Sequence, residues 1–181
     1  MKRVFFVLIL LALFLTNAFA QQAAAAAELT FTFTRQGGFS TNQFAVWIED
    51  AQGRHVKTIY ATRFTANGGW KRRPASIPVW VKQSGLSGMS NAQVDAITSA
   101  TPRTGALNYK WDGTDSRGAA LPAGDYTLIL EGTLRSENQV IYRAPFCIGQ
   151  GAGAARVSVE YKGNSTAERS MIGDVKVQVL R

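Results

Sequence analysis

The sequence predicts an all-β protein, an antiparallel β-sandwich with one short helix in a long connection, and three observations carry that reading. Short segments alternate apolar and polar residues with a period of two, turn-forming residues separate them, and one stretch alone carries the start and stop signals of a helix. Counting the alternating segments gives seven or eight strands.

The first strand is expected over residues 28–35, where Leu29, Phe31 and Phe33 alternate with Thr30, Thr32 and Thr34. Residues 42–50 give the second, with Phe44, Val46 and Ile48 on one face and Ala45 and Trp47 on the other. A tryptophan on that second face requires both sides of the sheet to be at least partly covered. Asp50-Ala51-Gln52-Gly53 supplies turn chemistry, and 54–62 return as the other arm of a hairpin. Alternation then stops, and 63–88 read as a long connection around Trp70, Lys71, Arg72, Arg73 and Trp80. Two readings of it stand. The indoles flank a basic cluster and offer a stacking surface with an anion clamp, or they close the end of the core while the three cations face water.

A helix over about 91–99 follows, because Ser90-Asn91-Ala92-Gln93 fits a capping box in which the serine and glutamine side chains satisfy each other's backbone amides. Pro102 disfavours helical geometry at Thr101, so the helix should stop there and leave Thr101 on an exposed corner. Further strands are expected over 107–111, 127–134, 139–148, 155–161 and 174–180, with 162–169 as a polar hairpin loop between the last two. Asp112 and Asp115, in the turn Asp-Gly-Thr-Asp-Ser-Arg-Gly, read as turn caps, with a calcium site as the lesser alternative.

Three domain-level divisions result: a signal peptide over 1–20, an Ala-rich tether over 21–27 and a single β-sandwich domain over 28–181. Met1-Lys2-Arg3, an apolar run from Val4 to Leu15 and a small-residue ending at Ala20 make a secretory leader, and the run is short for a membrane span. Cleavage after Ala20 would leave 18 basic and 12 acidic side chains, a net charge of about +6, and no transmembrane span. Export makes nucleic acid a poor partner, so the positive charge points to anionic lipid, cell-wall polymer or a cofactor phosphate.

Scarcity narrows the chemistry. The single Cys147 has no intrachain disulfide partner, and its apolar surroundings, Pro-Phe-Cys-Ile, predict a buried, inert thiol. His55 is the one histidine, expected to be solvated at a strand end. A multi-histidine metal centre or a Ser-His-Asp triad of ordinary form has little to build on, and no base and nucleophile pair for a hydrolase is visible.

The stretch that bears chemistry is 94–102, Val-Asp-Ala-Ile-Thr-Ser-Ala-Thr-Pro. Asp95 stands six residues before the hydroxyl of Thr101, with Thr98, Ser99 and Ala100 between them. Small neighbours leave that hydroxyl open to in-line approach by a phosphoanhydride, and Arg103 can offset the negative end of the helix. The pattern resembles the target motif of periplasmic flavin transferases, Asp-x-x-(Ser/Thr)-(Gly/Ser)-Ala-Thr, in which the last threonine is esterified to the phosphate of FMN. Ser99 stands where glycine is usual in that motif, and Arg103 where a Thr or Ser follows. The resemblance implies a cofactor-binding segment of Asp95, Thr98, Ser99, Ala100 and Thr101, with covalent FMN on Thr101. The bland alternative is an ordinary capped helix in a surface connection.

Two wider resemblances frame it. Tyr-Lys-Trp-Asp-Gly-Thr-Asp-Ser-Arg-Gly followed by Leu-Pro-Ala-Gly-Asp-Tyr looks like the hallmark of Ig-like domains in flagellar hook-capping proteins, which implies that Trp111 and Tyr126 pack inward and that the glycines take positive φ. Most of the mature chain, through Ala-Val-Trp-Ile-Glu-Asp, Gly-Gly-Trp-Lys-Arg-Arg-Pro and Glu-Gly-Thr, resembles a family of predicted bacterial periplasmic proteins without an assigned activity. That resemblance implies a periplasmic location and partners among flavin transferases and PepSY-type membrane reductases. The function expected is electron transfer by a flavinylated module rather than stand-alone catalysis; the rival is a non-catalytic Ig-like binding or assembly module.

Overall fold

The computed structural model describes residues 26–38, 42–135, 137–163 and 169–181. The leader, residues 21–25 of the tether and most of the 162–169 loop lie outside the described residues. Among the described residues ten strands form two sheets, one of four in the order β5-β1-β10-β8 and one of six in the order β4-β3-β2-β6-β7-β9. The strands are β1 (Ala27–Phe33), β2 (Gln43–Asp50), β3 (His55–Thr62), β4 (Thr98–Ser99), β5 (Gly105–Trp111), β6 (Gly124–Thr133), β7 (Gln139–Ile148), β8 (Gly153–Ala155), β9 (Ser158–Lys162) and β10 (Ile172–Val179). An all-β sandwich is thus what the alternation builds.

Between the sheets lies the larger core. Leu29, Phe31 and Phe33 of β1 meet Phe44, Val46 and Ile48 of β2, as the period-two pattern requires, and Trp111 and Tyr126 pack inward with ring centroids 5.9 Å apart. In the turn between them, Gly113 and Gly118 take φ of +77° and +83°. Asp112 and Asp115 act as turn caps. Asp112 accepts from the amide and hydroxyl of Thr114 and from Lys57, and Asp115 accepts from the amides of Arg117 and Ala119.

The sequence reading needs correction in four places. Ala26 and Ala27 are not tether but buried, with Ala27 opening β1 opposite Val179 and Trp111, because the strand pairing begins two residues before the alternating pattern does. The segment expected over 155–161 is two strands, β8 in the small sheet and β9 in the large one, so the chain changes sheets near Arg156 and no hairpin joins β9 to β10. One short helix is too few. The connection after β3 holds an irregular turn at Thr65–Gly69, α1 (Trp70–Arg72), α2 (Pro78–Gln83), a single turn at Leu86–Gly88 and α3 (Asn91–Ile97). Finally, β4 pairs parallel with β3, a mixed contact in sheets that are otherwise antiparallel.

These helical turns cover the outer face of the large sheet and make a second core, in which Ala45 and Trp47 of β2, Ile129 and Ile141 meet Ile77, Trp80, Leu86 and Val94. Two polar residues of β6 on that face anchor the layer. Glu131, fully buried, accepts the amides of Val79 and Trp80 at 3.1 and 2.8 Å; Thr133 accepts the amide of Ile77 at 2.7 Å and donates to the carbonyl of Ala75. They satisfy donors that the start of α2 would otherwise bury unpaired. At Gly69 a Cβ would run into the Phe64 carbonyl and ring, so the irregular turn closes only over glycine.

Candidate functional site

Helix α3 begins as the sequence dictates. Ser90 Oγ accepts from the Gln93 amide at 3.3 Å and Gln93 Oε1 accepts from the Ser90 amide at 2.8 Å, a complete capping box. Replacing Ser90 by alanine is expected to cost about 1 kcal/mol of unfolding free energy, read from the urea midpoint, and an unchanged midpoint would show that tertiary packing alone holds the helix. The helix ends two residues earlier than expected, at Ile97, because Thr98 and Ser99 turn extended and pair with Ala61 and Thr62 of β3.

This pairing distributes the candidate residues. Asp95 is exposed on α3, where it lines a recess of about 450 Å³ together with Trp70, Lys71 and Asn91. Thr98 is buried beside β3, and its hydroxyl has no hydrogen-bond partner among the described residues. Ser99 and Ala100 are exposed, and the Ala100 carbonyl accepts from the Tyr60 hydroxyl at 3.1 Å. Thr101 is half-buried rather than on a fully exposed corner, since Tyr60 ties the preceding residue down onto the sandwich. Farther on, Thr104 Oγ1 accepts from the Arg35 amide, which pins the segment at its other end. Asp95 and Thr101 therefore stand on either side of a buried threonine, the acid on the helix and the hydroxyl beyond β4.

The tryptophan-flanked anion clamp does not form. Trp80 is fully buried against Trp47, and its indole donates to Thr58 Oγ1 at 2.9 Å. Trp70 is half-buried, Lys71 and Arg72 are exposed, and Arg73 donates to the carbonyl of Leu134. The closing-residue reading fits better, except that Trp80 covers a sheet face rather than an end of the core.

Sequence reasoning missed a second, larger cleft of about 700 Å³ on the other side of α3, between that helix, β3 and the end of β5. His55 is among the residues lining it, half-buried rather than solvated; its Nε2 is 2.8 Å from Thr58 Oγ1, and burial lowers its pKa, which keeps the ring neutral near pH 7. Lys57 reaches Asp112 at 3.0 Å and Thr114 Oγ1 at 2.6 Å. Burial pushes the Asp112 carboxyl up, but hydrogen bonds from Thr114 and Lys57 outweigh it and hold the pKa below the usual range. Cys147 is half-buried in β7, away from both hollows, and burial raises its pKa above the ordinary thiol value, which leaves it protonated and weakly nucleophilic.

Fold and site together define a β-sandwich whose half-buried Thr101 follows Ala100 on a segment pinned at Ala100 and Thr104. Residues 25–167 match the family described as "Predicted periplasmic protein (DUF2271)", and the chain belongs to that family of periplasmic proteins. No curated protein and no solved structure matches it. None of the helices among the described residues is long and apolar enough to cross a membrane.

Proposed function

We propose that this protein carries FMN in a phosphodiester on Thr101 and serves as a periplasmic electron-transfer module. The observation that carries the reading is the placement of the 95–101 strip. Its acid is exposed and its acceptor threonine half-buried, the side chains of Ser99 and Ala100 before the acceptor are small, and its backbone is held at Ala100 and Thr104. Such a strip suits a reaction in which another protein must read the segment and bring a phosphoanhydride up to one oxygen. The cleft beside α3 also lies within the size range of small-molecule sites, so the residues present fit a tethered flavin.

In the attachment step a flavin transferase supplies flavin adenine dinucleotide. Thr101 Oγ bonds to the flavin-side phosphorus, the anhydride bond breaks, adenylate leaves, and the hydroxyl proton passes to a base of the transferase. Asp95, exposed on its helix, serves as a recognition contact or faces the transferase's metal. Ala100 leaves the attacking side clear, and Arg103 supplies positive charge beside the resulting phosphodiester. When bound, FMN supplies reversible electron and proton uptake, with a PepSY-type membrane reductase as the proposed donor.

Whole-protein mass spectrometry after co-expression with a flavin transferase tests this. The mature chain should gain the mass of FMN less one water, and Thr101→Ala should remove the gain entirely. An unmodified, colourless wild-type chain under those conditions would refute the flavin reading and leave a scaffold or binding module.

A further inference from the structure

We propose that the isoalloxazine of a flavin held at Thr101 lies in the cleft between α3 and β5, on the opposite side of α3 from Asp95. This rests on the reading of Thr101 as the attachment point and adds where the ring goes. Connectivity is the first argument. The cleft's helical wall ends at Ile97 and its other wall is reached down β5 to Lys110, so the segment holding Thr101 is the strap that joins the two walls. Thr101 stands four positions after Ile97, at most about 14 Å of extended chain, which a ribityl phosphate arm is suited to bridge.

Chemistry is the second argument. Ile59, Met89 and Ile97 give the cleft apolar surface for a planar ring, while Lys57 and Lys110 place positive charge at its margins. That charge complements the pyrimidine edge of a flavin, which gains negative character on reduction. The rival recess at Trp70 is smaller, at about 450 Å³, and is lined by polar Asn67, Ser87 and Asn91 with Asp95 itself on the wall. Charge separates the two: in the cleft Lys57, Lys110 and Arg117 outnumber Asp112, whereas the recess balances Lys71 against Asp95. The same acid is left free for the transferase.

Two arms test the assignment. In the first, FMN is titrated into ¹⁵N-labelled Thr101→Ala protein, which cannot be modified at that oxygen. Amide shifts should move at Ile59, Ile97 and Lys110, and Ala96→Glu, a charge introduced at an exposed position on the cleft wall, should weaken binding at least fivefold. Asn91→Glu, on the other recess, should not. Shifts gathered at Asn67, Trp70 and Lys71, or no shifts in the cleft, would overturn the assignment. In the second arm the full chain is flavinylated and checked by mass. Ala96→Glu should raise flavin fluorescence at least twofold as the ring is expelled into water, with the mass gain retained. Equal fluorescence with the mass gain present overturns the cleft alone. A missing mass gain in the wild type overturns the tether, and the first arm still decides the cleft.

Discussion

Trp80→Ala is expected to lower the unfolding free energy by about 3–5 kcal/mol, the range for emptying a fully buried tryptophan site. The indole is wholly enclosed in the outer core with Trp47 and Ile77, and its N–H is satisfied by Thr58. Truncation therefore leaves a cavity and removes one of the two hydrogen bonds at the buried Thr58 hydroxyl, the one to His55 remaining. Trp70→Ala, at a half-buried position, should cost clearly less. Urea unfolding of both variants measures the contrast. A loss below 1 kcal/mol for Trp80→Ala would mean that the helical layer is a loose cover and that the sandwich stands without it.

The second large effect is a pH dependence centred on Glu131. Burial raises its pKa from the ordinary 4.5 to about 7, against the opposing pull of the Trp80 and Val79 amides, which favour the carboxylate. Below 4.5 the folded and unfolded states both hold the proton. Between 4.5 and about 7 the unfolded carboxyl ionises while the folded one does not, so stability falls as pH rises through that window and levels off above it. The size is on the order of 3 kcal/mol. His55 works in the opposite sense, because its lowered pKa adds stability that builds as pH rises toward about 6.5 and is complete above it. The clean measurement is thus the difference between Glu131→Gln and wild type. Glutamine keeps one acceptor for the two amides and has a constant cost, while its stability relative to wild type should climb from pH 4.5 to 7 and then flatten. A difference that does not vary with pH would show that the carboxylate is fully compensated where it sits.

Much of this was legible in the residues. The alternation of Leu29, Phe31 and Phe33 with threonines defines β1, and Trp47 on the second face of β2 announces a covered sheet before any cover is known. The cover itself was not legible. Its helical pieces are three to seven residues long, shorter than the period that would reveal an apolar stripe, and the first is broken by Asn67 and Gly68 leaving helical geometry. The two-residue β4 has no pattern of its own, so the half-burial of Thr101 follows from the Ala61–Thr98 pairing and the Tyr60 hydroxyl rather than from anything local. Ala26 and Ala27 misled in the other direction, since alanine in a run reads as slack chain even where it is paired between two strands. The larger cleft escaped because its lining comes from segments distant in sequence, with only the cap residue Gln93 and the stub of α3 near the motif.

Strand β1 sits in the middle of its sheet, yet its neighbours are β5 and β10, and the register Glu28 to Gln178 joins positions 150 apart. Closing so long a loop carries an entropic penalty before any contact repays it, and chains dominated by such remote pairings fold slowly. The strand translated earliest must wait for the last one before its threonine-rich edges are hidden. During that interval the edge of β1 that β10 will pair stays open beside an apolar face, the kind of unpaired strand edge that promotes association between incompletely folded chains.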